Sequence, residues 1–463
     1  MIKYISTRGE SEKLSFEQAV MNGLAGDGGL YIADNIPGFS SQEITEMANL
    51  SYCELALKIM KPFIGDSIRE QDLITIIHNS YKDFRHNAIA PLKQLGHNEF
   101  LLELFHGPTL AFKDFALQFL GNLLEYFLQK SNDNLTVIGA TSGDTGSAAI
   151  EGCKGKSNMQ IFILHPKGRV SDVQRRQMTT VCDKNVHNLA IEATFDDCQD
   201  IVKALFSDIE FKEKQKLTAV NSINWARILA QVVYYFYAAT ALGSPTKKIS
   251  FCVPTGNFGD IYAGYIASKM GLPIDKLIIA TNSNDILSRC LKTGIYDMQA
   301  VNPTISPSMD IQISSNFERL LFDLYNQDSL EIRNLMLELR KTGKMQLSQD
   351  ALKNLREKFS AGSADDELTK KTIAQIYDQT GELLDPHTAV GVAVARLNHD
   401  YTNSPVVILA TAHPAKFPDA VKSASGVYPR LPEYLSHIMT KPERLSEIKN
   451  NINEVKDFII KNS

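Results

Sequence analysis

From about residue 134 onward, short apolar runs rich in β-branched residues alternate with helical stretches, and this alternation limits the fold more than any other feature of the chain. The runs are Leu135-Thr-Val-Ile-Gly-Ala140, Gln160-Ile-Phe-Ile-Leu164, residues 186–191, Ile249-Ser-Phe-Cys-Val253, Leu277-Ile-Ile-Ala280 and Val406-Val-Ile-Leu-Ala410. Each is apolar on both faces, as a strand covered from two sides must be. Helical stretches at 196–208, 261–270 and 388–398 lie between them. Strand–helix repetition of this kind predicts βαβ units, parallel sheet and the α/β class. Up to about residue 90 the chain reads as mainly helical, with amphipathic stretches at 15–24 and 41–60. Gly-Asp-Gly-Gly at 26–29 and Pro62 are expected to interrupt them. Residues 441–462 read as a charged surface helix.

Composition removes several functional classes. The 463 residues carry 48 Lys plus Arg against 53 Asp plus Glu, a formal charge of −5. Without a basic excess, neither nucleic acid nor an anionic membrane is an expected partner. The most apolar run, 228–242, contains Gln231 and three tyrosines and is shorter than a membrane span, so it reads as a buried helix. Cys53, Cys153, Cys182, Cys198, Cys252 and Cys290 are scattered, with no C-x-x-C pair. That usage suits a reducing cytoplasm, and no metal-ligand spacing appears.

Five segments could carry chemistry. Residues 115–130 have one narrow polar stripe, formed by Gln118, Asn122, Glu125 and Gln129, and are otherwise Phe, Leu, Ala and Tyr. A helix apolar around most of its circumference belongs inside the protein. Lys113, between Phe112 and Phe115, stands at its mouth. A desolvated amine there would serve as nucleophile or base; the plainer reading is a lysine that snorkels or pairs with Asp114. Thr141-Ser-Gly-Asp-Thr-Gly146 follows a strand and opens a helix, so it is either an anion loop or a tight βα turn. Pro254-Thr-Gly-Asn-Phe-Gly-Asp260 has the same placement, and its main-chain amides could wrap a phosphate. It matches neither the Walker pattern nor G-x-G-x-x-G. Asn221-Ser-Ile-Asn-Trp-Ala-Arg227 offers neutral donors and one guanidinium, a set suited to a phosphate dianion or simply to a helix start. Leu409-Ala-Thr-Ala-His-Pro414 ends a strand on the Thr411 hydroxyl. A reactive lysine, two anion loops and a polar strand end are what a pyridoxal phosphate enzyme requires.

Together these motifs resemble the threonine synthases, a family of fold type II (tryptophan synthase β-like) pyridoxal phosphate enzymes. The likeness runs from Tyr4-Ile-Ser-Thr-Arg-Gly9 and Gly23-Leu-Ala-Gly-Asp-Gly-Gly-Leu-Tyr31 to Ala410-Thr-Ala-His-Pro-Ala-Lys-Phe417, nearly the whole chain. It implies an N-terminal mainly helical domain at 1–90 and two parallel-sheet α/β domains, at 91–235 and 236–463. It implies that Lys113 joins pyridoxal 5'-phosphate covalently, that Gly256, Asn257, Phe258, Gly259 and Asp260 hold the cofactor phosphate, and that Thr411 bonds the pyridine nitrogen. The loop of Thr141, Ser142, Asp144 and Thr145 would meet the substrate carboxylate and the cofactor's phenolic oxygen. Asn221, Ser222, Arg227 and Thr145 would take a substrate phosphate. Many relatives carry Asn where this chain has Asp144, and a carboxylate beside a phenolate oxygen is repulsive unless a proton is shared.

The implied reaction converts O-phospho-L-homoserine and water to L-threonine and phosphate by γ-elimination and β-replacement. The implied protein is a cytoplasmic monomer or homodimer. A serine/threonine dehydratase or cysteine synthase would share the fold, but neither substrate carries a γ-phosphate. A non-catalytic homologue that binds a phosphorylated amino acid would have no need of Lys113.

Overall fold

The computed structural model of the chain describes residues 2–9, 12–219, 222–400 and 404–463. Two compact units emerge, each discontinuous in sequence: Met1–His106 with Ser222–Pro429, and Gly107–Asn221 with Arg430–Ser463.

The first unit is built on a six-stranded sheet. Its strand order is Phe359–Ser363, Ile274–Thr281, Ile249–Pro254, Val406–Ala410, Glu99–Glu103 and Leu92–Gly96. Every neighbouring pair is parallel except the last, an antiparallel hairpin at one edge. The apolar run at 228–242 becomes the Trp225–Ala241 helix, buried along most of its length as its composition requires. Helices Phe16–Asn22, Ser41–Met47, Tyr52–Ile64 and Glu70–Tyr81 form the helical N-terminal region, joined by a two-stranded ribbon of Tyr4–Ser6 and Tyr31–Ala33. The stretch at 41–60 divides because Ser51 caps a new helix, its hydroxyl and the Glu54 side chain forming a reciprocal capping box. Pro62 does not interrupt that helix. It sits in the last turn, two residues before Ile64, and forgoes the one bond its missing N–H would have made to Lys58, while burial of Phe63 and Ile64 carries the helix past it.

The second unit carries a fully parallel five-stranded sheet. The strands run Ser446–Ile448, Val186–Ile191, Met159–Pro166, Leu135–Ala140 and Leu217–Ala219. Residues 441–462 are therefore not one surface helix. Ser446–Ile448 extends the sheet edge, and Asn451 caps a shorter helix at Ile452–Asn462. Val455 and Ile459 of that helix enter a core with Phe162, Leu189, Cys198 and Leu205. Pro442 and the paired asparagines at 450 and 451 are poor helix residues, which is the local reason for the break.

Helices Lys113–Ser131 and Asp144–Cys153 of the second unit meet at two glycines. A Cβ at Gly121 would lie 2.1 Å from the Gly152 carbonyl oxygen, and one at Gly152 would lie 2.5 Å from that of Leu117. Backbone cannot yield as a side-chain tip can. Gly121→Ala is expected to lower the unfolding free energy by roughly 1–3 kcal/mol, read as a fall in the urea midpoint at unchanged slope.

Candidate active site

Lys113 opens the buried helix of the second unit and is only 9% exposed. Its Nζ lies 3.4 Å from Asp144 Oδ2 and 4.6 Å from the centre of the Phe112 ring. The neighbouring Asp114 is taken up by Thr109, accepting from its amide at 2.8 Å and its hydroxyl at 2.7 Å. Asp144, thirty-one residues on, is thus the carboxylate set beside the amine.

Asp144 is itself held. Its Oδ1 accepts from Gln174 Nε2 at 2.8 Å, and both residues are buried. Gly143, at φ +145°, lets the backbone pass over the Gln174 amide, which a Cβ would meet at 2.5 Å. Thr141 Oγ1 accepts from the amides of Gly143 and Gly146, each at 2.9 Å. That oxygen shapes the loop from within and leaves one O–H to donate. Ser142 is exposed and Thr145 half-buried at the N-terminus of the Asp144–Cys153 helix, where amides favour an anion.

The first unit places its glycine loop between strand Ile249–Pro254 and helix Gly259–Lys269. Phe258 adopts φ +63°, a conformation that costs a non-glycine residue about 1–2 kcal/mol. Burial of its ring against Phe317, with centroids 5.3 Å apart, offsets that cost. A Cβ at Gly256 would fall 2.7 Å from the Ser308 carbonyl oxygen. The Asp260 side chain turns away to two tyrosines: Oδ1 accepts from Tyr234 at 2.5 Å and from Tyr235 at 3.1 Å. The main-chain amides of this loop and helix start, with the exposed Asn257 beside them, could meet a ligand.

Thr411 follows strand Val406–Ala410, and its amide donates to Thr388 Oγ1 at 3.2 Å. Thr388 in turn donates to Asp385, which also accepts from His387 Nδ1 at 2.8 Å. His387 Nε2 accepts from the Ser308 amide at 3.2 Å. One buried polar chain therefore leads from the strand end at Thr411 to Ser308, the residue packed against Gly256. Sequence reasoning missed these partners, although Asp385-Pro-His-Thr388 carries the cap-plus-proline signature of a helix start.

Arg227, in the first turn of the Trp225–Ala241 helix, is buried, and its Nε has no hydrogen-bond partner among the described residues. Burial lowers its pKa to about 10. Ser222 is half-buried nearby in sequence, whereas Asn221 lies outside the described residues.

His413 Nδ1 accepts from the Ala415 amide at 3.1 Å, which places the neutral ring's proton on Nε2. Burial, with His106 as the next contributor, lowers its pKa to about 4. The unfolded chain then binds the extra proton first, so this group's contribution to stability is full above about 6.5 and is lost as pH falls toward 4. An NMR titration is expected to show the His413 ring neutral throughout pH 5–8, the range where an unperturbed histidine would change charge. A midpoint near 6.5 would contradict it.

Three family models match the chain: "Threonine synthase N terminus" over residues 3–81, "Pyridoxal-phosphate dependent enzyme" over 85–343, and "Threonine synthase, C-terminal" over 388–459. The threonine synthase of Pseudomonas aeruginosa is 51% identical over 459 residues, covering 99% of this chain and 98% of that one. The chain belongs to the threonine synthase family. Among solved structures, the pyridoxal phosphate-bound threonine synthase of Brucella melitensis is 52% identical, with a TM-score of 0.98 and full coverage of both chains. Yeast threonine synthase is 46% identical with a TM-score of 0.94, covering 99% of this chain and 98% of that one. The architecture is accordingly that of the fold type II enzymes: two parallel-sheet α/β units with a helical N-terminal region.

The residues present fit the family's cofactor, pyridoxal 5'-phosphate. A buried primary amine at Lys113 suits its aldehyde. Gly256, where a Cβ would fall 2.7 Å from the Ser308 carbonyl oxygen, and the helix start at Gly259 offer main-chain amides suited to its phosphate. No helix among the described residues is long and apolar enough to cross a membrane.

Proposed function

We propose that the chain converts O-phospho-L-homoserine and water to L-threonine and phosphate. The observation that carries this reading is Arg227. A buried guanidinium with an unpartnered Nε is costly unless an anion completes it. With the cofactor's phosphate assigned to the amides at 256–260, we assign Arg227 to a second phosphate, that of the substrate, with Ser222, Asn221 and Thr145 as the further donors that the family resemblance implies.

In this reading Lys113 holds the cofactor and, once released by substrate, moves protons at Cα and Cβ. When bound, the cofactor withdraws electrons from the substrate's α-carbon. Gly256, Asn257, Phe258, Gly259 and Asp260 hold its phosphate through main-chain amides, and Thr411 offers its hydroxyl to the pyridine nitrogen. Ser142 and the Thr141 hydroxyl orient the substrate carboxylate. Asp144, fixed by Gln174, balances the Lys113 charge while the amine is free of the cofactor. Once the cofactor is joined to Lys113, a proton shared between Asp144 and the cofactor's phenolic oxygen would relieve the repulsion expected of a carboxylate in that loop. Arg227 grips the phosphate while the Cγ–O bond breaks, and water then adds at Cβ. Among the described residues the Nε of Arg227 has no hydrogen-bond partner, which suits it to hold the leaving group in place during replacement.

The six free cysteines and the modest negative charge suit the cytoplasm. We take the active form to be a monomer or homodimer, with no nucleic-acid or membrane partner. Holoenzyme supplied with O-phospho-L-homoserine is expected to release phosphate and threonine in equal amounts. Release of phosphate with a keto acid would contradict the reading.

A further inference from the structure

Arg319 is the largest charged side chain fully enclosed in the first unit, at 0% exposure, and among the described residues its side-chain hydrogen bonds go to neutral oxygens. Nε donates to the Tyr31 carbonyl at 2.9 Å, Nη2 to the Ile223 carbonyl at 2.5 Å, and Nη1 to Asn316 Oδ1. Its guanidinium also lies 5.8 Å from the Trp225 ring. Ile223 and Trp225 belong to the segment that carries Ser222 and Arg227.

Asn316 extends this grip in the other direction. Its Nδ2 donates to the Ser222 carbonyl at 3.1 Å and to the Asn257 carbonyl at 2.9 Å, and its amide also donates to Asn257 at 3.1 Å. Ser314, two residues earlier, donates to the Gly256 carbonyl at 2.5 Å. The two segments are so close that a Cβ at Gly259 would sit 3.2 Å from Asn316 Nδ2 and 3.6 Å from the Ser222 oxygen. One asparagine amide thus bonds the backbone of both phosphate segments at once, and one buried arginine fixes that asparagine.

We propose that Asn316 and Arg319 couple the two phosphate cradles, so that an anion held at 222–227 tightens the hold on the cofactor phosphate at 256–260. This rests on the assignment of those two segments made above. Neither residue is assigned a contact with a reacting atom; both are positioning residues. The physical basis is shared order. A phosphate that fixes Ser222 fixes Asn316 through its amide, and the Asn257 carbonyl moves no more freely than Asn316 does. Ordering already imposed by the first anion need not be imposed again by the second. Coupling of this kind is reciprocal. The positive charge of Arg319, held behind both segments, offsets the repulsion of two dianions brought near one another.

The test uses holoenzyme and inorganic phosphate. The rate of cofactor loss on dialysis is followed by visible absorption at rising phosphate, and phosphate binding is measured separately by calorimetry. In the parent, saturating phosphate is expected to slow cofactor loss about fivefold or more. In Asn316→Asp, which keeps the acceptor for Arg319 but removes both Nδ2 donors, the slowing should vanish. Arg319→Lys, which keeps the charge and loses the fork, should reduce it as a second, independent variant. A merely structural role would speed cofactor loss with and without phosphate alike, leaving their ratio as in the parent, and that result would overturn the coupling. If phosphate binds the parent in an Arg227-dependent way yet leaves cofactor loss unchanged, the coupling fails while the substrate subsite stands. If phosphate does not bind, or binds equally to Arg227→Ala, the subsite assignment itself fails and the coupling with it.

Discussion

Lys113→Ala is expected to lower kcat by about 10³-fold or more, because it removes both the attachment point of the cofactor and the base that moves the substrate's protons. The visible absorption of the purified holoenzyme should disappear in the same variant. The fold should survive the change: Lys113 sits in the first turn of its helix, and the apolar body of that helix, from Phe115 to Leu128, is untouched. Far-ultraviolet circular dichroism like that of the parent, together with lost absorption and lost turnover, is the expected combination. Retained absorption with normal turnover would remove Lys113 from its proposed role. The ion pair with Asp144 makes a second outcome readable. The variant takes the ammonium away from Asp144 Oδ2 while the Gln174 amide stays on Oδ1, so a fall in Tm alongside lost absorption is expected.

Arg227→Met should show opposite effects on function and on stability. Removing the guanidinium from a bound phosphate is expected to lower kcat/KM for O-phospho-L-homoserine by about 10²-fold, mainly through KM. Stability should move the other way. Burial lowers the Arg227 pKa to about 10, below that of a free guanidinium, so between those two values the unfolded chain binds more protons and stability rises with pH. At neutral pH the guanidinium is charged in both states, and its full burial cost is present in the folded one. A methionine of similar length is therefore expected to stabilise the ligand-free protein by about 1–4 kcal/mol, seen as a higher Tm. A site that costs stability when empty and gains it when filled is the ordinary signature of a binding group. Unchanged kinetics with a lowered Tm would mark Arg227 as structural.

Much of this was legible in the residues. The six short apolar runs became strands because β-branched residues apolar on both faces suit a strand covered from two sides, and the longer run at 228–242 became a helix buried around most of its circumference. Lys113 and the two glycine loops could be located because strand ends and helix starts leave local marks: an apolar run, then glycines, then a new periodicity. What stayed hidden depends on distance along the chain. Gln174 lies thirty residues beyond Asp144, and nothing in the intervening sequence announces that an amide will meet that carboxylate. Asn316 and Arg319 stand in an unremarkable Ser-Asn-Phe-Glu-Arg stretch, ninety or more residues from Ser222 and Ile223. The strand at Ser446–Ile448 is three residues long and exists only because a neighbouring edge accepts it. Local pattern reaches as far as local causes do, and tertiary hydrogen bonds lie beyond it.

On the proposed route phosphate leaves Cγ, water enters at Cβ, and the phosphate ester is not hydrolysed. The most direct test is turnover of O-phospho-L-homoserine in water enriched in oxygen-18, with both products analysed by mass. Elimination at Cγ breaks the carbon–oxygen bond, so the departing phosphate keeps its original four oxygens and the label appears in the hydroxyl of threonine. Label in the phosphate, with homoserine as the organic product, would mean attack at phosphorus and would contradict the account.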